Sequence, residues 1–412
     1  MECVRFAQEF DVPLALRSGG HSYAGYSTGP GLVLDVSSLN AIEVGGGRAR
    51  FGAGVKGMAA HLALAAAGAG LPLGRCPTIG LAGVTLGGGL SAFTRAWGLA
   101  CDHLVSVEIV TADGRLRRVD AQREPDLFWA LQGGGGGNFG VVTELEFATE
   151  DIRDLSFTRF LLSWPTVDLA AVLRGWTVWN ADPATPREVW STVELLSDHG
   201  SPAPPVVTGT IIGTPADLHP VLDRLIATIG HPEERRMMLP CGYGQAASEA
   251  ERWGGGTWGA RVAFAAKSHI VRDPLGTTAA STLAGSVAEI PGGGGASGLL
   301  IESLGGAVAD RAPADSGFPH RRAVGVVQYH SYWDQFTPSS DVKERLDWLR
   351  GVHAAMQPHL GAGGYTNGMD PELADWPRAY HGENYPHLQR VKATVDPGNF
   401  FTFPQAINAP GR

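Results

Sequence analysis

Clusters of glycine constrain this sequence more than any other feature. Glycine accounts for 57 of the 412 residues, about twice its usual share. The glycines gather at predicted turns without a collagen-like period, which indicates tight loops where the backbone approaches a partner closely. Two clusters carry a reactive side chain: Gly19 and Gly20 precede His21, and Cys76 opens a glycine-rich segment that ends at Gly89.

The overall composition predicts a well-packed protein of two domains. A chain of 412 residues exceeds what one hydrophobic core ordinarily fills. Hydrophobic residues make up 44% and charged residues 18%, which separates the sequence from disordered chains. A net charge of −9 without a long basic run argues against nucleic acid or an anionic membrane as a partner. No segment approaches the ~18 uninterrupted apolar residues of a transmembrane helix.

The cysteines and histidines indicate neither a disulfide framework nor a metal site. The four cysteines lack Cys-x-x-Cys spacing, and the thirteen histidines lack His-Glu-x-x-His spacing. We therefore expect no metal. No signal peptide is visible after Met1, which favours a cytoplasmic protein; secretion stays open if an upstream segment is missing from the sequence. The sequence does not constrain the oligomeric state.

The hydrophobic pattern divides the chain into three parts. Residues 1–152 alternate short strands and helices. Residues 153–368 contain longer amphipathic helices between strands, which predicts an α+β domain whose antiparallel sheet is covered by helices on one face. Residues 369–412 are aromatic and rich in asparagine, and we expect them to pack back against the first domain.

Two motif matches fail in their context. The segment from Gly25 to Gly29 fits the Gly-x-Ser-x-Gly motif of hydrolases, with Ser27 as nucleophile, but Pro30 and a strand follow where that motif needs a helix. The segment from Gly135 to Gly140 fits the dinucleotide fingerprint, but it continues into a strand instead of opening a helix. We therefore expect neither a Ser27 hydrolase nor a Rossmann-type NAD site.

Three other segments combine reactive side chains with glycine or aromatic residues. They are RSGGHSYAG around His21, GRCPTIGLAGVTLGGG around Cys76, and AYHGENYPHLQRVK near the C-terminus. Taken singly, such a histidine is usually a surface residue and such a cysteine a small buried hydrophobe. Arg75, however, adjoins Cys76, and a nearby cation favours the reactive thiolate.

Together these segments resemble the berberine-bridge-enzyme-like flavoproteins, in their bacterial branch. These proteins have the vanillyl-alcohol-oxidase, or PCMH-type, FAD-binding fold. The resemblance covers nearly the whole chain and includes PDLFWALQGGGGGNFGVVTELEF in the first domain and FPHRRAVGVVQYHSYW in the second. It implies that residues 1–152 bind FAD and residues 153–368 bind the substrate. Family members have a further strand and helix ahead of the position of Met1; without them, the adenine end of FAD would be less enclosed.

The resemblance also implies two covalent bonds to the flavin. In the family, the histidine of the Arg-x-Gly-Gly-His turn is bonded to the 8α-methyl group, and many members bond a cysteine to flavin C6. His21 and Cys76 occupy these places. Two bonds would fix the ring, leave one face open for a bulky substrate, and raise the flavin's potential. Glycine turns let backbone N–H groups reach the pyrophosphate. Further cofactor contacts are implied for Arg17, Ser18, Gly19, Gly20, Ser22, Pro77, Thr78, Gly80, Gly83, Gly87, Gly88, Asp102, Gly137, Asn138, Gly140, Val142, Tyr380 and Asn384.

Tyr380 is the candidate base of the implied mechanism. It would take a hydroxyl proton from the substrate while hydride passes from carbon to flavin N5, and oxygen would then reoxidise the flavin. A free tyrosine has a pKa near ~10, so Tyr380 needs a partner that favours the phenolate. The alternative is that Tyr380 only packs on the flavin. Additional candidates are Tyr329 and His381 for catalysis, and Gln328, Tyr332, Tyr365 and Asn367 for substrate binding.

Two departures from the family pattern bear on the pocket. Related bacterial members often have a second tyrosine at the position of His381, and a tyrosine at the position of Gly368. The loss of two aromatic rings widens the expected pocket. It also makes His381 a candidate polar contact or second base.

The implied function is a flavin oxidase with molecular oxygen as co-substrate. It would act on a hydroxyl or lactol group of a sugar or a bulky natural product and release hydrogen peroxide. A dehydrogenase or an oxidative cyclisation in natural-product biosynthesis remains an alternative, because a branched side chain at the position of Ile79 can hinder oxygen in this family. A flavin-free binding protein on the same fold is the alternative of another class, and the intact His21, Cys76 and Tyr380 argue against it.

Overall fold

The computed structural model describes residues 1–198, 201–202, 204–248, 263–292 and 296–411. The helices in these ranges are α1 (Glu2–Glu9), α2 (Gly57–Ala66), α3 (Leu81–Leu86), α4 (Thr94–Trp97), α5 (Pro125–Leu131), α6 (Leu169–Ala181), α7 (Pro215–Ile229), α8 (Tyr243–Ala247), α9 (Thr277–Ala288), α10 (Ser339–Leu360), α11 (Trp376–His381) and α12 (Tyr385–Val395). The strands are β1 (Leu14–Arg17), β2 (Leu32–Asp35), β3 (Ile42–Gly45), β4 (Arg48–Gly52), β5 (Ala69–Gly70), β6 (Leu104–Val110), β7 (Leu116–Asp120), β8 (Val141–Ala148), β9 (Glu150–Asp151), β10 (Phe157–Ser163), β11 (Val189–Asp198), β12 (Ser201–Pro202), β13 (Val206–Ile212), β14 (Arg235–Cys241), β15 (Ala263–Val271), β16 (Ser297–Ser303) and β17 (Gly325–Trp333).

The first part of the chain is built on an antiparallel sheet. Its strands lie in the order β3-β4-β8-β6-β7, and a separate parallel pair joins β1 to β2. The two glycine-rich loops leave this framework after β1 and between β5 and α3. The first hydrophobic core also includes Phe157 and Tyr243, so the two halves of the chain share a packed boundary.

The second part is an antiparallel sheet with helices on one face. Its strands lie in the order β14-β10-β13-β11-β16-β17-β15, and β12 pairs with β11. Buried side chains of these strands form a second core with α6, α7, α9 and α10. This arrangement confirms the α+β class predicted from the sequence.

Helix α7 illustrates how local sequence sets these elements. Thr214 caps its first turn by accepting a hydrogen bond from the Asp217 backbone N–H, and Pro215 occupies the first helical position. The helix ends at Gly230, whose φ of +82° lies in the left-handed region that glycine adopts without strain. Leu218, Leu222 and Leu225 then turn one apolar face toward the sheet.

Strand β17 separates the two faces of the second sheet. Val327 and Tyr329 belong to the core beneath the helices. Their neighbours Gln328 and Tyr332 lie on the opposite face, where Gln328 contacts Tyr23 of the first domain. Successive strand residues point to opposite faces, so the side of the sheet without helices faces the glycine-rich loops.

The C-terminal residues return to the first part of the chain. The Nζ of Lys392 donates to the backbone oxygen of Asn138, at 2.6 Å, and the Ile407 N–H donates to the Asn138 side chain. The boundaries at residues 152 and 368 stay predictions. Within the described ranges, no helix combines the length and apolar character needed to cross a bilayer.

Candidate active site

The two predicted flavin-binding side chains meet at Thr78. The Nε2 atom of His21 lies 2.9 Å from Thr78 Oγ1, and the Sγ atom of Cys76 lies 3.5 Å from the same oxygen. His21 is exposed and Cys76 is half-buried. Residues 55 positions apart in the sequence are thus joined through one hydroxyl group at the protein surface.

The surroundings of His21 favour a neutral imidazole. Neighbouring protein atoms desolvate the ring and the Lys56 ammonium repels a second positive charge, so the pKa of His21 is lowered. Lys56 is held nearby because its Nζ donates to the Ser18 backbone oxygen, at 2.8 Å. A neutral imidazole retains the lone pair that a nucleophile needs.

The loops that carry His21 and Cys76 pack backbone to backbone. A Cβ atom on Gly19 would lie 2.1 Å from the Gly80 nitrogen, and one on Gly80 would lie 2.1 Å from Ser18 Oγ. Gly20 has a φ of +73°, which few other residues adopt. Both loops therefore require glycine at the point of contact.

Gly83 and Gly136 border an open space that suits a phosphate group. A Cβ atom on Gly83 would have no described atom within 4 Å, and one on Gly136 would have Gly83 as its nearest neighbour, at 3.6 Å. Bare backbone of this kind offers N–H groups to anions. Together with the His21–Thr78–Cys76 contact, it fits a flavin dinucleotide.

The remaining predicted residues of these two loops hold local structure. The Arg17 guanidinium lies 3.6 Å from Asp35, Ser22 Oγ accepts from the Tyr26 N–H, and the Pro77 carbonyl accepts from the Met58 N–H. Their contacts with FAD stay predictions.

Tyr365 and Asn367 are bound to the glycine loop at its other end. A Cβ atom on Gly87 would lie 2.0 Å from Asn367 Oδ1, and Asn367 Nδ2 donates to the Val84 carbonyl at 2.9 Å. The Tyr365 hydroxyl accepts from Asn367 Nδ2 and from the Gly89 N–H. Both residues, predicted to bind substrate, thus support the loop of residues 83–89. Gly88 in the same loop packs under Phe318.

Asn138, Gly140 and Val142 belong to the framework behind the open space. Asn138 Nδ2 donates to the carbonyls of Gly134 and Gly135. Val142 is buried in β8, and Gly140 is packed against the Val110 carbonyl. Gly137, with a φ of +82°, adjoins Phe403. For these residues a cofactor contact would come from the backbone.

The side chains of Asp102 and Asn384 have protein partners. Asp102 accepts two hydrogen bonds from the Arg321 guanidinium, at 2.7 and 2.8 Å. Burial alone would raise the pKa of Asp102, but the bonds and charge of Arg321 lower it overall. Asn384 Nδ2 donates to the carbonyls of Pro313 and Ser316. Their predicted cofactor contacts are not tested by these bonds, which give both residues a structural role.

Tyr380 is buried and protonated at neutral pH. Its hydroxyl accepts a hydrogen bond from the Asp370 backbone N–H at 2.8 Å, which favours the phenolate. Burial outweighs this bond and raises the pKa of Tyr380. The Asp370 carboxylate is fixed in turn by Lys267 Nζ, at 2.8 Å.

His381 lies next to Tyr380 but is a weak base. Burial lowers the pKa of His381 to about 3. Its Nδ1 atom has no hydrogen-bond partner within the described part of the chain. The ring stacks on Tyr385, with centroids 6.0 Å apart, and lies edge-on to Tyr380. His381 thus offers an acceptor rather than a proton carrier at neutral pH.

The structure does not bring Tyr329 to the other candidates. Its hydroxyl lies 3.1 Å from His269 Nδ1 beneath helix α10, on the covered face of the sheet. The alternation of side chains along β17 explains this placement, because Gln328 faces the glycine loops. Tyr332 is half-buried on the Gln328 side and contacts Phe264 and His330.

Sequence reasoning missed a polar network beside Cys76. Gln328 Nε2 donates to Glu302 Oε2 at 2.7 Å, and Gln328 Oε1 accepts from the Tyr23 hydroxyl at 3.2 Å. The other oxygen of Glu302 is paired with Arg75, at 2.5 Å. A signal was present, since Glu302 is a lone charge in an apolar strand and Tyr23 follows His21 by two residues. No group of three or more potential metal-binding side chains occurs among the described residues.

The comparisons with known proteins agree with this geometry. A family model described as "FAD binding domain" matches residues 1–120, and one described as "Berberine and berberine like" matches residues 364–408. The uncharacterized FAD-linked oxidoreductase YgaK of Bacillus subtilis is 32% identical to this chain. The alignment spans 99% of this chain and 88% of YgaK. Reticuline oxidase of Eschscholzia californica is 25% identical, and the alignment spans 98% of this chain and 80% of the reticuline oxidase chain.

Solved structures share the whole fold. The glucooligosaccharide oxidase of Acremonium strictum has a TM-score of 0.88 at 24% identity, with 99% of this chain and 88% of that chain covered. BBE-like 1 of Physcomitrella patens has a TM-score of 0.87 at 24% identity, with 99% and 89% covered. The predicted PCMH-type fold is confirmed. On the strength of the 32% identical relative and of both family models, this chain is an FAD-dependent oxidoreductase that belongs to the berberine-bridge-enzyme-like family.

Proposed function

We propose that the protein is an oxidase whose FAD is bonded covalently to both His21 and Cys76. Its substrate would be a sugar or bulky natural product that carries a hydroxyl or lactol group. The contact of both side chains with Thr78, above a glycine cradle, is the observation that carries the proposal. Two structural neighbours are described as oligosaccharide oxidases, which supports this substrate class.

Different residues would hold the flavin ring, bind the pyrophosphate and take the substrate proton. When bound, FAD supplies a hydride acceptor at N5 and passes the electrons to oxygen, which leaves as hydrogen peroxide. His21 and Cys76 would hold the ring, while Gly83 and Gly136 offer their backbone to the pyrophosphate. In its phenolate form, which the Asp370 N–H stabilises, Tyr380 would take the hydroxyl proton of the substrate and become the neutral phenol.

The side of the second sheet without helices carries groups suited to a polyhydroxylated substrate. Gln328 and Tyr23 provide amide and hydroxyl groups for hydrogen bonds. Phe264 and Tyr332, with ring centroids 5.6 Å apart, provide apolar surfaces on which a sugar or an aromatic ring can stack. Hydrogen bonds would then select the reacting hydroxyl group, and the rings would hold the rest of the molecule.

Acid precipitation tests the two covalent bonds. Wild type, His21→Ala, Cys76→Ala and the double variant are precipitated, and flavin absorbance is measured in pellet and supernatant. We expect flavin in the pellet for wild type and for each single variant, and in the supernatant for the double variant. His387→Ala and Cys241→Ala remove a part-exposed histidine and a half-buried cysteine elsewhere, and should behave as wild type. Flavin that washes out of the wild-type pellet overturns the proposal.

Ile79 supports dehydrogenation as a second candidate. The Ile79 side chain fills the space beside Gly74, because a Cβ atom added to Gly74 would lie 2.2 Å from Ile79 Cδ1. Ile79 is therefore fixed within the Cys76 loop. Oxygen reactivity separates the candidates without a known substrate. The flavin is photoreduced anaerobically and mixed with oxygenated buffer. Rapid reoxidation with stoichiometric peroxide indicates an oxidase, and slow reoxidation beside rapid transfer to an artificial acceptor indicates a dehydrogenase.

A further inference from the structure

We infer that the second domain positions Cys76 for its bond to the flavin by clamping the preceding residue, Arg75. The inference rests on the proposed covalent attachment. The Arg75 clamp comprises Glu302, Trp190 and Ser248, which all lie beyond the first domain. Arg75 and its partners would thus be positioning residues for the cysteinyl bond.

The clamp holds Arg75 by its side chain and by its backbone. Its Nη2 atom lies 2.5 Å from Glu302 Oε1, and the two side chains are 12% and 5% exposed. The guanidinium carbon lies 4.7 Å from the centre of the Trp190 ring. Ser248 Oγ donates to the Arg75 carbonyl at 3.4 Å. The residue before Cys76 is therefore fixed at both ends by the second domain.

Burial makes this arrangement hard to replace. An ion pair removed from water leaves an uncompensated charge when one partner is lost, and a guanidinium over an indole face gains further attraction when desolvated. Because Glu302 already pairs with the guanidinium, we assign Arg75 to placing the loop rather than to providing a free cation beside Cys76. Glu302 also accepts from Gln328, which links the clamp to the predicted substrate face.

A second contact fixes the chain just upstream. The Tyr243 hydroxyl donates to the Leu71 carbonyl at 2.9 Å and accepts from the Leu71 N–H at 3.0 Å. The Nδ1 atom of buried His61 lies 3.2 Å from this hydroxyl, and its Nε2 atom lies 3.2 Å from the Gly74 carbonyl. The segment from Leu71 to Arg75 is thus held from α8 as well as from the sheet.

The loop of His21 is anchored differently. Ser18 Oγ donates to the Ala53 carbonyl at 2.6 Å, and Lys56 donates to the Ser18 carbonyl. These partners belong to the first domain. Tyr23 of this loop also bonds Gln328, a partner of Glu302, but Arg75→Met leaves these three side chains in place. Loss of Arg75 should therefore affect the Cys76 bond and spare the His21 bond, whereas a general folding defect would affect both.

The cysteinyl bond depends on accurate placement because it must form at one ring carbon. Cys76 would give up its S–H hydrogen and bond through Sγ to the ring carbon C6, which would release its own hydrogen. Dioxygen would take up the two hydrogens with two electrons and leave as hydrogen peroxide, so atoms and electrons balance. A displaced thiol loses the effective concentration that such a step requires.

Mass spectrometry of digested holoprotein tests the clamp. The ratio of flavin on the Cys76 peptide to flavin on the His21 peptide is measured in wild type, Arg75→Met and Glu302→Gln. We expect the ratio to fall by about tenfold or more, with the His21 adduct unchanged and an intermediate ratio in Arg75→Lys. Arg345→Met removes another buried arginine, bonded to Ser297 on the helix-covered face, and should keep the wild-type ratio.

The outcomes separate the inference from the proposed function. A wild-type protein without a Cys76 adduct refutes the proposed bicovalent attachment. A wild type with both adducts, and an unchanged ratio in the folded clamp variants, refutes the clamp alone, as does an equal loss of both adducts. If Arg75→Met and Glu302→Gln do not fold, Glu302→Asp is used, because it retains the charge but shortens the side chain. A lowered ratio of Cys76 adduct to His21 adduct in this variant supports the clamp, and an unchanged ratio refutes it.

Discussion

Lys392→Met tests how the C-terminal segment is held on the first domain. Lys392 Nζ lies 2.7 Å from Asp396 Oδ2 and donates to the carbonyls of Asn138, at 2.6 Å, and Phe401, at 2.7 Å. The side chains of Lys392 and Asp396 are 0% and 1% exposed. One ammonium group thus joins α12, the following loop and the glycine-rich segment that ends at Gly140.

The expected cost follows from this burial. Methionine preserves most of the apolar stem, so the loss is mainly electrostatic. Removing one partner of a buried ion pair costs about 3–5 kcal/mol. Asp396 keeps the backbone N–H donors of Phe400 and Phe401, which partly stabilise its charge. The double variant Lys392→Met/Asp396→Asn should recover part of the loss, because it leaves no isolated buried charge.

Chemical denaturation with hydrogen exchange measures the effect. We expect the free energy of unfolding to fall by about 3–5 kcal/mol, with faster exchange concentrated in residues 364–408. Lys343→Met is the matched control, since Lys343 and Asp347 have the same i,i+4 spacing on α10 but are 76% and 47% exposed. It should leave the midpoint unchanged. Equal midpoints for Lys392→Met and Lys343→Met would refute the reasoning.

Three further predictions concern proton binding. Tyr380→Phe should slow anaerobic flavin reduction by about 10²- to 10⁴-fold, and the wild-type rate should rise with pH because burial raises the pKa of Tyr380; a flat profile contradicts its role as base. Arg350 and Lys267 lower the pKa of Glu372 from 4.5 to about 2. The stabilisation that this carboxylate gives the folded state is therefore complete above pH 4.5 and is lost as the pH falls toward 2. Glu372→Gln should therefore weaken the acid dependence of unfolding in that range, as followed by circular dichroism. Burial lowers the pKa of His61 from 6.5 to about 4, so between these pH values the unfolded state binds a proton that the folded state does not. The free energy of unfolding therefore falls as the pH falls through this range, and His61→Gln should weaken that pH dependence.

The sequence predicted the parts of the site that depend on local chain geometry. Gly19 and Gly80 could be recognised because a bare backbone in a turn has few other uses. His21 and Cys76 lie within those turns, so their surroundings were visible in a few neighbouring residues. Their meeting at Thr78 required the fold, since the two loops leave different parts of the first domain.

Strand register decided what the sequence left open. Gln328 and Tyr329 are adjacent and polar, and both were candidates, yet neighbouring residues of a strand point to opposite faces. Only one of them can face the glycine loops. The choice depends on which face the helices cover, and that is settled by long-range packing of α10 against β15 and β17. The role of Glu302 was not predicted because it also depends on long-range packing: its partners Arg75 and Gln328 are distant in sequence.

A buried tyrosine that is protonated at rest serves as a base only after it loses its proton, and the donor that stabilises its phenolate is already in position. The Asp370 N–H points at the Tyr380 oxygen, and residue 370 is held on two sides: Lys267 pairs with its carboxylate, and Gln405 Nε2 donates to its carbonyl at 2.7 Å. A donor fixed before the reaction stabilises charge as it develops without reorganisation. Burial raises the pKa of the free tyrosine and also strengthens this hydrogen bond once the phenolate forms, since the local dielectric is low. The same desolvation that keeps most of Tyr380 protonated at rest therefore makes its phenolate a strong base, and the deprotonated fraction takes the proton of a substrate hydroxyl.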